Sequence, residues 1–412
     1  MQNLRIQGDR LYDDFLRLSE IGATPEGGIS RLALSPEDLA ARAWFANRIE
    51  EAGLEVRDDD AGNLSGVLKS QRPNAKTLLI GSHLDSVPNG GRYDGSIGVL
   101  AGLECLRTLR EAEVDLPLNL EVISFTDDEG TWHSMFGCRA FAGVLSSDDW
   151  MSDQQVDHAP FRAAMARAGI DPRAIYRAQR KPKPLAGYLE LHIEQSSRLA
   201  RAGVNIGAVT GIVGRTTYLL TFTGQAGHSG TTDMYKRRDA LRGAAAFVVR
   251  GHDAVRERYG DGIFNVGDIE VEPGAYNIIP SRARLLMECR HIDEKRLGEM
   301  ETMLLGIARE CAASNGLEVE PKHIIHVPAA AMAAGLIQTV EQSADALGLS
   351  HMRLFSYAGH SAQILSHLIP CGMIFIPSVE GISHNPKEFT EWSDVVNGAN
   401  VLLQTILSAA TV

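Results

Sequence analysis

The 412-residue chain carries 40 Lys and Arg against 52 Asp and Glu, a net charge of −12, with 44% apolar and 22% charged residues. Those proportions are those of an ordinary globular protein, and the length favours two domains over a single core. No dense basic cluster, no basic stretch leading into a long apolar one at the start, and no run approaching a membrane span are found, so no nucleic-acid or membrane partner and a cytoplasmic location are expected.

In chain order, residues 9–20 and 35–52 have helical spacing, the second opened by Ser35-Pro36-Glu37-Asp38, a capping hydroxyl followed by proline at the first helical position. Leu54–Val56 and Leu64–Leu68 alternate like the strands of a hairpin. Leu78, Leu79 and Ile80 form a buried strand that Gly81 and Ser82 close just before His83 and Asp85. A loop rich in glycine then returns the chain to Asp94, ahead of a helix over Val99–Arg110. Leu118–Phe125 is the next buried strand and ends in Asp127, Asp128 and Glu129. Strand, acidic loop and helix have occurred twice, which is a doubly wound pattern with chemistry at the strand ends. Residues 146–185 are polar and are expected to form a helical excursion with a Lys-Pro-Lys-Pro loop. Gly187–Ile193 resumes a strand, with His192 on the face of Glu190 and Glu194.

From residue 208 the texture changes to strand, loop, helix, two strands, helix and strand, which suits an open-faced α+β sandwich inserted into the first domain. After Pro328 apolar strands and helices return, with Met373–Ile376 a buried strand and a final helix from Trp392 to Leu407. The fold class expected is therefore α/β: a helix-flanked, mainly parallel sheet over 1–207 and 328–412, with the inserted sandwich over 208–327. Five cysteines (Cys105, Cys138, Cys289, Cys311, Cys371), odd in number and scattered in apolar surroundings, are expected as buried free thiols.

His83, Asp94, Glu129, His192 and His384 each lie near the end of a predicted first-domain strand and offer only imidazole nitrogen and carboxylate oxygen. That donor set suits zinc, manganese, cobalt or nickel. Five ligands crowd one ion, and a carboxylate shared between two ions relieves the crowding. Asp85, two residues from His83, has the spacing to orient an imidazole.

Over nearly its full length the chain resembles the amidohydrolase branch of the M20 metallopeptidase family: N-carbamoyl-L-amino-acid hydrolases, allantoate amidohydrolases and β-ureidopropionases. The motifs that carry the resemblance are GSHLDSVPNGGRYDG (81–95), FTDDEG (125–130), YLELHIEQ (188–195), GHSGTTDMYKRRDAL (227–241), PGAYNIIP (273–280), ECRHID (288–293), AGHSAQ (358–363) and GISHNP (381–386). It implies a catalytic domain holding two divalent metal ions per subunit and an inserted lid that also makes a homodimer. Asp94 would bridge the ions, with His83 and His192 on one and Glu129 and His384 on the other. Arg290 would hold the carboxylate of a small-molecule substrate, Asn277 and Gln195 would assist, and His228 would reach the partner subunit's active site to stabilise an oxyanion. Asp85 and Asp128 would act in catalysis.

The implied reaction is hydrolysis of the linear C–N bond of a ureido group on a small carboxylic acid, with N-carbamoyl-L-amino acids first and allantoate or a β-ureido acid as alternatives. An aminoacylase or dipeptidase of the same family, or a metal-containing binding protein without catalysis, is more distant. The chain departs from the family at three places: aspartate at Asp128 where glutamate is usual, Ser361 where Gly-His-Asp-Ala is usual, and Ser196 where glycine is usual.

Overall fold

Two kinds of strand divide this chain, those apolar at every position and those apolar at every second one. The computed structural model describes residues 4–145 and 158–409. In chain order its strands are β1 (Glu55–Asp58), β2 (Leu64–Leu68), β3 (Thr77–His83), β4 (Asn119–Phe125), β5 (Leu185–Ile193), β6 (Ile206–Ile212), β7 (Gly214–Thr223), β8 (Gly227–His228), β9 (Ile263–Glu272), β10 (Ile278–Ile279), β11 (Arg282–His291), β12 (Glu318–Val327), β13 (Ala330–Ala331), β14 (His351–Ser356) and β15 (Cys371–Ile376). One compact unit runs up to Thr210 and resumes at Ala331; the other is Gly211–Ala330.

The first unit is built on a nine-stranded sheet ordered β1-β2-β4-β3-β5-β15-β6-β13, with β14 paired to β6. Its middle, β4-β3-β5-β15, is parallel. The β1–β2 hairpin joins β4 antiparallel on one flank and β6 joins β15 antiparallel on the other. β3, β4 and β15 are buried almost end to end, as strands covered on both faces must be, and this is why they read as continuous apolar runs. The helix Ser96–Glu111 covers one face and is buried from Ser96 to Leu109, packed against β3, β4 and β5. Burying a leucine such as Leu100, Leu103 or Leu106 contributes about 1.5–3 kcal/mol each. The helix Trp392–Ala409 packs beside it and against β15, so the C-terminal segment closes this unit's core.

The helix Pro36–Glu51 starts as its sequence indicates, with Ser35 Oγ accepting from the Asp38 N–H at 3.2 Å. Of the polar stretch 146–185, residues 146–157 lie outside the described residues. The remainder contains the helix Ala159–Arg167, whose Phe161 stacks on Trp132 with centroids 5.4 Å apart. All five cysteines are buried and free.

In the second unit four antiparallel strands run β12-β7-β11-β9. Along β11, Ala283, Leu285, Met287, Cys289 and His291 are buried, while the alternating Arg282, Arg284, Leu286, Glu288 and Arg290 are not. The buried set packs on the helices Ala240–Arg258 and Glu294–Ser314, which leaves the other sheet face open. β8 and β10 form a separate two-stranded ladder. No helix among the described residues is long and apolar enough to cross a membrane.

Candidate metal centre

The parallel register aligns the carboxyl ends of four neighbouring strands of the first unit. His83 ends β3 opposite Phe125 of β4, and His192, near the end of β5, lies opposite Phe375 of β15. Asp127–Glu129 follow β4 directly, and the chain leaving β15 reaches His384 eight residues on. Such strand ends are where open α/β sheets collect ligands. Asp94 comes from the loop before the helix Ser96–Glu111, at Gly95, whose φ is +62°. A Cβ on Gly95 would lie 2.4 Å from the His83 ring, so only glycine lets Asp94 approach that imidazole.

Asp94 presents its two oxygens to different partners. Oδ1 lies 3.5 Å from His83 Nε2 and 3.1 Å from His192 Nε2. Oδ2 lies 3.5 Å from His384 Nε2, and that same nitrogen is 3.5 Å from Glu129 Oε2. His83, Asp94 and His192 make one group of potential ligands and Asp94, Glu129 and His384 another. Bonds of about 2.0–2.1 Å in a tetrahedral site put ligand atoms about 3.3–3.4 Å apart. The observed spacings of 3.1–3.5 Å match such an edge, and most are long for a hydrogen bond. The imidazoles are also turned correctly. His83 Nδ1 pairs with the Asp85 carbonyl at 3.0 Å and His192 Nδ1 with the Ile193 carbonyl at 2.9 Å, which leaves each Nε2 to face Asp94.

The electrostatics ask for a cation. Burial, then the charge of Asp94, pushes the Glu129 carboxyl up to about 9. Burial likewise raises Asp85 to about 6, Glu190 to about 7 and Asp127 to about 8. Burial works against charge on His83 and His192, yet the surrounding carboxylates, Asp94 above all, override it and raise both imidazoles. Burial would also raise Asp94; His192 and His83 outweigh it and hold that carboxyl well below the usual range. Protons thus stand in for the positive charge that divalent ions would supply.

The Asp85 carboxylate is used differently from the sequence expectation. It lies 3.7 Å from His83 Nδ1, and its oxygens instead accept the backbone N–H groups of Asp128 at 3.3 Å and Glu129 at 3.1 Å. It therefore steadies the loop that carries Glu129 as well as facing the imidazole, whose Nδ1 its own carbonyl meets. Asp128 is buried and accepts a hydrogen bond from Ser361 Oγ at 2.8 Å. Asp128 and Ser361, two of the three positions set apart in the sequence, are thus in contact. Ser196, the third departure, hydrogen-bonds Glu194, which caps the short helix Arg198–Ala202 through the Arg198 and Leu199 amides.

Gln195, at φ +57°, donates through Nε2 to Asp94 Oδ2 at 2.7 Å. Glu190, His192 and His360 form a third cluster. There Glu190 accepts from Ser82 Oγ and the Ala362 amide, and His360 Nε2 pairs with Ser356 Oγ, so these two support the site from behind. The sequence reading gave no role to His360 or Glu388; Glu388 lies just beyond the GISHNP motif that carries His384, and His360 inside the AGHSAQ motif, which is the signal that could have found them.

The other three expected residues belong to the second unit. His228 and Asn277 are exposed and come together there, since β8 and β10 pair His228 with Ile278 and the Asn277 carbonyl accepts from the Ser229 amide at 3.1 Å. His228 Nδ1 accepts from the Gly230 and Thr231 amides at 3.0 and 3.3 Å, which leaves the ring proton of the neutral form on Nε2. Arg290 is half-buried on the open face of β11, its Nε 2.7 Å from Glu288 Oε1.

Comparison with known proteins bears on this arrangement. The model of peptidase family M20/M25/M40 matches residues 79–408. The N-carbamoyl-L-amino acid amidohydrolase of Geobacillus stearothermophilus is 36% identical over 98% of this chain and 99% of its own length. The allantoate amidohydrolase of Escherichia coli is 33% identical over 93% of this chain and 94% of its own. A Burkholderia multivorans amidase of the hydantoinase/carbamoylase family superposes with a TM-score of 0.89 at 35% identity, covering 99% of this chain and 98% of that one.

Proposed function

The chain belongs to peptidase family M20/M25/M40, and we propose that within it this protein is a dinuclear-metal amidohydrolase that cleaves N-carbamoyl-L-amino acids. The overall change is R–NH–CO–NH₂ + H₂O → R–NH₂ + CO₂ + NH₃, through a carbamate that loses carbon dioxide. The observation that carries the reading is the division of Asp94, whose two oxygens face two different pairs of ligands. His83 and His192 would hold one ion and Glu129 and His384 the other, with zinc, manganese, cobalt and nickel all suited to these donors. When bound, the ions acidify water and polarise the ureido carbonyl.

The residues of the chain then supply the remaining work. Asp128, held through its Oδ1 by Ser361, takes a proton from the attacking water and returns it to the departing nitrogen. Arg290 offers a planar fork for the substrate carboxylate, and Asn277 and Gln195 add hydrogen bonds. His228, with its proton on Nε2, is a donor suited to a developing oxyanion. Exposed in its own chain, it is assigned to the site of a second copy in a homodimer formed through the second unit.

Ammonia release across a panel of ureido acids, with manganese or zinc added after chelation, tests the reaction. N-carbamoyl-L-amino acids should be turned over best. Preference for allantoate would move the assignment to that substrate, and metal binding without turnover on any member would make the protein a binding protein. Mixing inactive His228→Ala with inactive Asp94→Ala tests the shared site: subunit exchange should restore part of the activity. No recovery in proven heterodimers would mean that each site is complete within one chain.

A further inference from the structure

Each carboxylate ligand of the candidate centre sits on a loop whose backbone amides point at another buried carboxylate. For Glu129 that acid is Asp85, as described above. For Asp94 it is Glu388, 294 residues further along the chain and 4% exposed. Glu388 Oε1 accepts the N–H of Tyr93 and the N–H of Asp94, both at 3.0 Å. Its Oε2 lies 2.9 Å from Ser383 Oγ, which is in turn 3.0 Å from Asp94 Oδ2. The backbone of Asp94 is therefore tied directly to Glu388, and Ser383 Oγ lies within hydrogen-bond reach of both carboxylates, its single proton serving one of them at a time.

The surroundings are shaped for this acid. A Cβ on Gly91 would fall 1.9 Å from Glu388 Oε1, so a side chain at residue 91 would push the Glu388 carboxylate out of its place. On the other side, His384 at φ +55° and a turn from the Asn385 carbonyl to the Glu388 amide at 2.9 Å bring the acid back over the Asp94 loop. The same short segment thus carries a ligand, His384, and the clamp on the carboxylate facing it. Glu388 belongs to none of the three ligand groups among the described residues.

We propose that Glu388 is the positioning residue of Asp94: it fixes the loop and rotamer that let both oxygens of Asp94 serve two ions at once, and it couples the placement of Asp94 to that of His384. The inference rests on the reading of a metal centre. Hydrogen-bond partners of metal ligands typically contribute about 10–100-fold in metal affinity. An amide at this position can keep its oxygen on the two backbone N–H groups and donate through nitrogen to Ser383, whereas an alanine keeps neither tie.

Full-length protein stripped with a chelator and titrated with Mn²⁺ or Zn²⁺ against an indicator dye separates these variants, with circular dichroism as the control for folding. Glu388→Ala should bind at least one ion about 10–100-fold more weakly, while Glu388→Gln should stay within a few-fold of the parent. Ser383→Ala, which removes only the side-chain tie, should fall between them. A folded Glu388→Ala that binds two ions with parental affinity overturns the proposal. If Glu388→Ala does not fold, Glu388→Asp, whose side chain is one carbon shorter and withdraws from the Tyr93 and Asp94 amides, decides: parental affinity for both ions in that variant would overturn the proposal. Parent protein that binds no divalent ion would break the metal-centre reading itself, a different failure from any of these.

Discussion

The two units use the strand in opposite ways. In the first, β3, β4, β5 and β15 are buried on both faces and their polar residues gather at one end, where His83, Asp94 and His192 are themselves almost wholly buried. In the second, β11 alternates and its outer residues, Arg290 among them, face away from the core, while His228 and Asn277 are exposed on a two-residue ladder. Burial forces a polar group to find partners, so His83, Asp94 and His192 are each held by hydrogen bonds to the chain around them, while His384, on the same centre, is exposed. Exposure imposes no such demand. The residues of the second unit carry chemistry only when something faces them, and the difference implies that substitutions in the first should abolish metal binding or chemistry, whereas those of the carboxylate-binding Arg290 and Asn277 should alter affinity and leave metal content intact.

Substitution of the shared ligand is the severest test of that contrast. Asp94→Ala should lose ions from both ligand groups and all measurable turnover, read by elemental analysis alongside ammonia release; two ions retained at full occupancy would exclude a shared carboxylate. Asp128→Asn should come next, with turnover lowered by about 10²–10⁴-fold while metal content holds, because only proton transfer is removed. Turnover equal to that of the parent would take the base role from Asp128.

Arg290→Lys should do less: KM raised by about tenfold on a carboxylate substrate with metal content and kcat little changed, since a point charge replaces a fork. A fall in kcat with unchanged KM would place Arg290 among the chemical groups and erase the contrast.

A last effect, on stability rather than on turnover, sets the buried acids of the first unit apart. Glu129 is raised from 4.5 to about 9 and Asp85 from 3.8 to about 6, so the folded metal-free protein holds protons there that the unfolded chain releases. Stability from these groups is complete below their unfolded values and is lost as pH rises towards the folded ones. Metal-free protein should therefore melt progressively lower from about pH 4.5 to 9, and metal-loaded protein should show a flatter profile, because ions replace the protons. A melting temperature that climbs across this window without metal would contradict the picture of acids held neutral by burial.

Much of this was legible in the residues. Unbroken apolar runs marked β3, β4 and β15, because a strand covered on both faces has no polar side to show. The order of strands and helices after residue 208 marked the open-faced sandwich, and Ser35-Pro36 marked a helix start. The donors His83, Asp94, Glu129, His192 and His384 stood out because each lies at or beyond the end of a strand, a local relation that spacing records. What spacing does not record is which atom meets which across the sheet. Only the parallel placement of β5 beside β15 brings the loop after Ile376 over the loop after His83, and so sets Glu388 against the Asp94 amide across 294 residues of chain. The carboxylate of Asp85 likewise turned from the imidazole two residues away to amides 43 and 44 residues on. A buried carboxylate goes where unpaired N–H groups are, and where those are is decided by strand order and loop closure, not by neighbours in sequence.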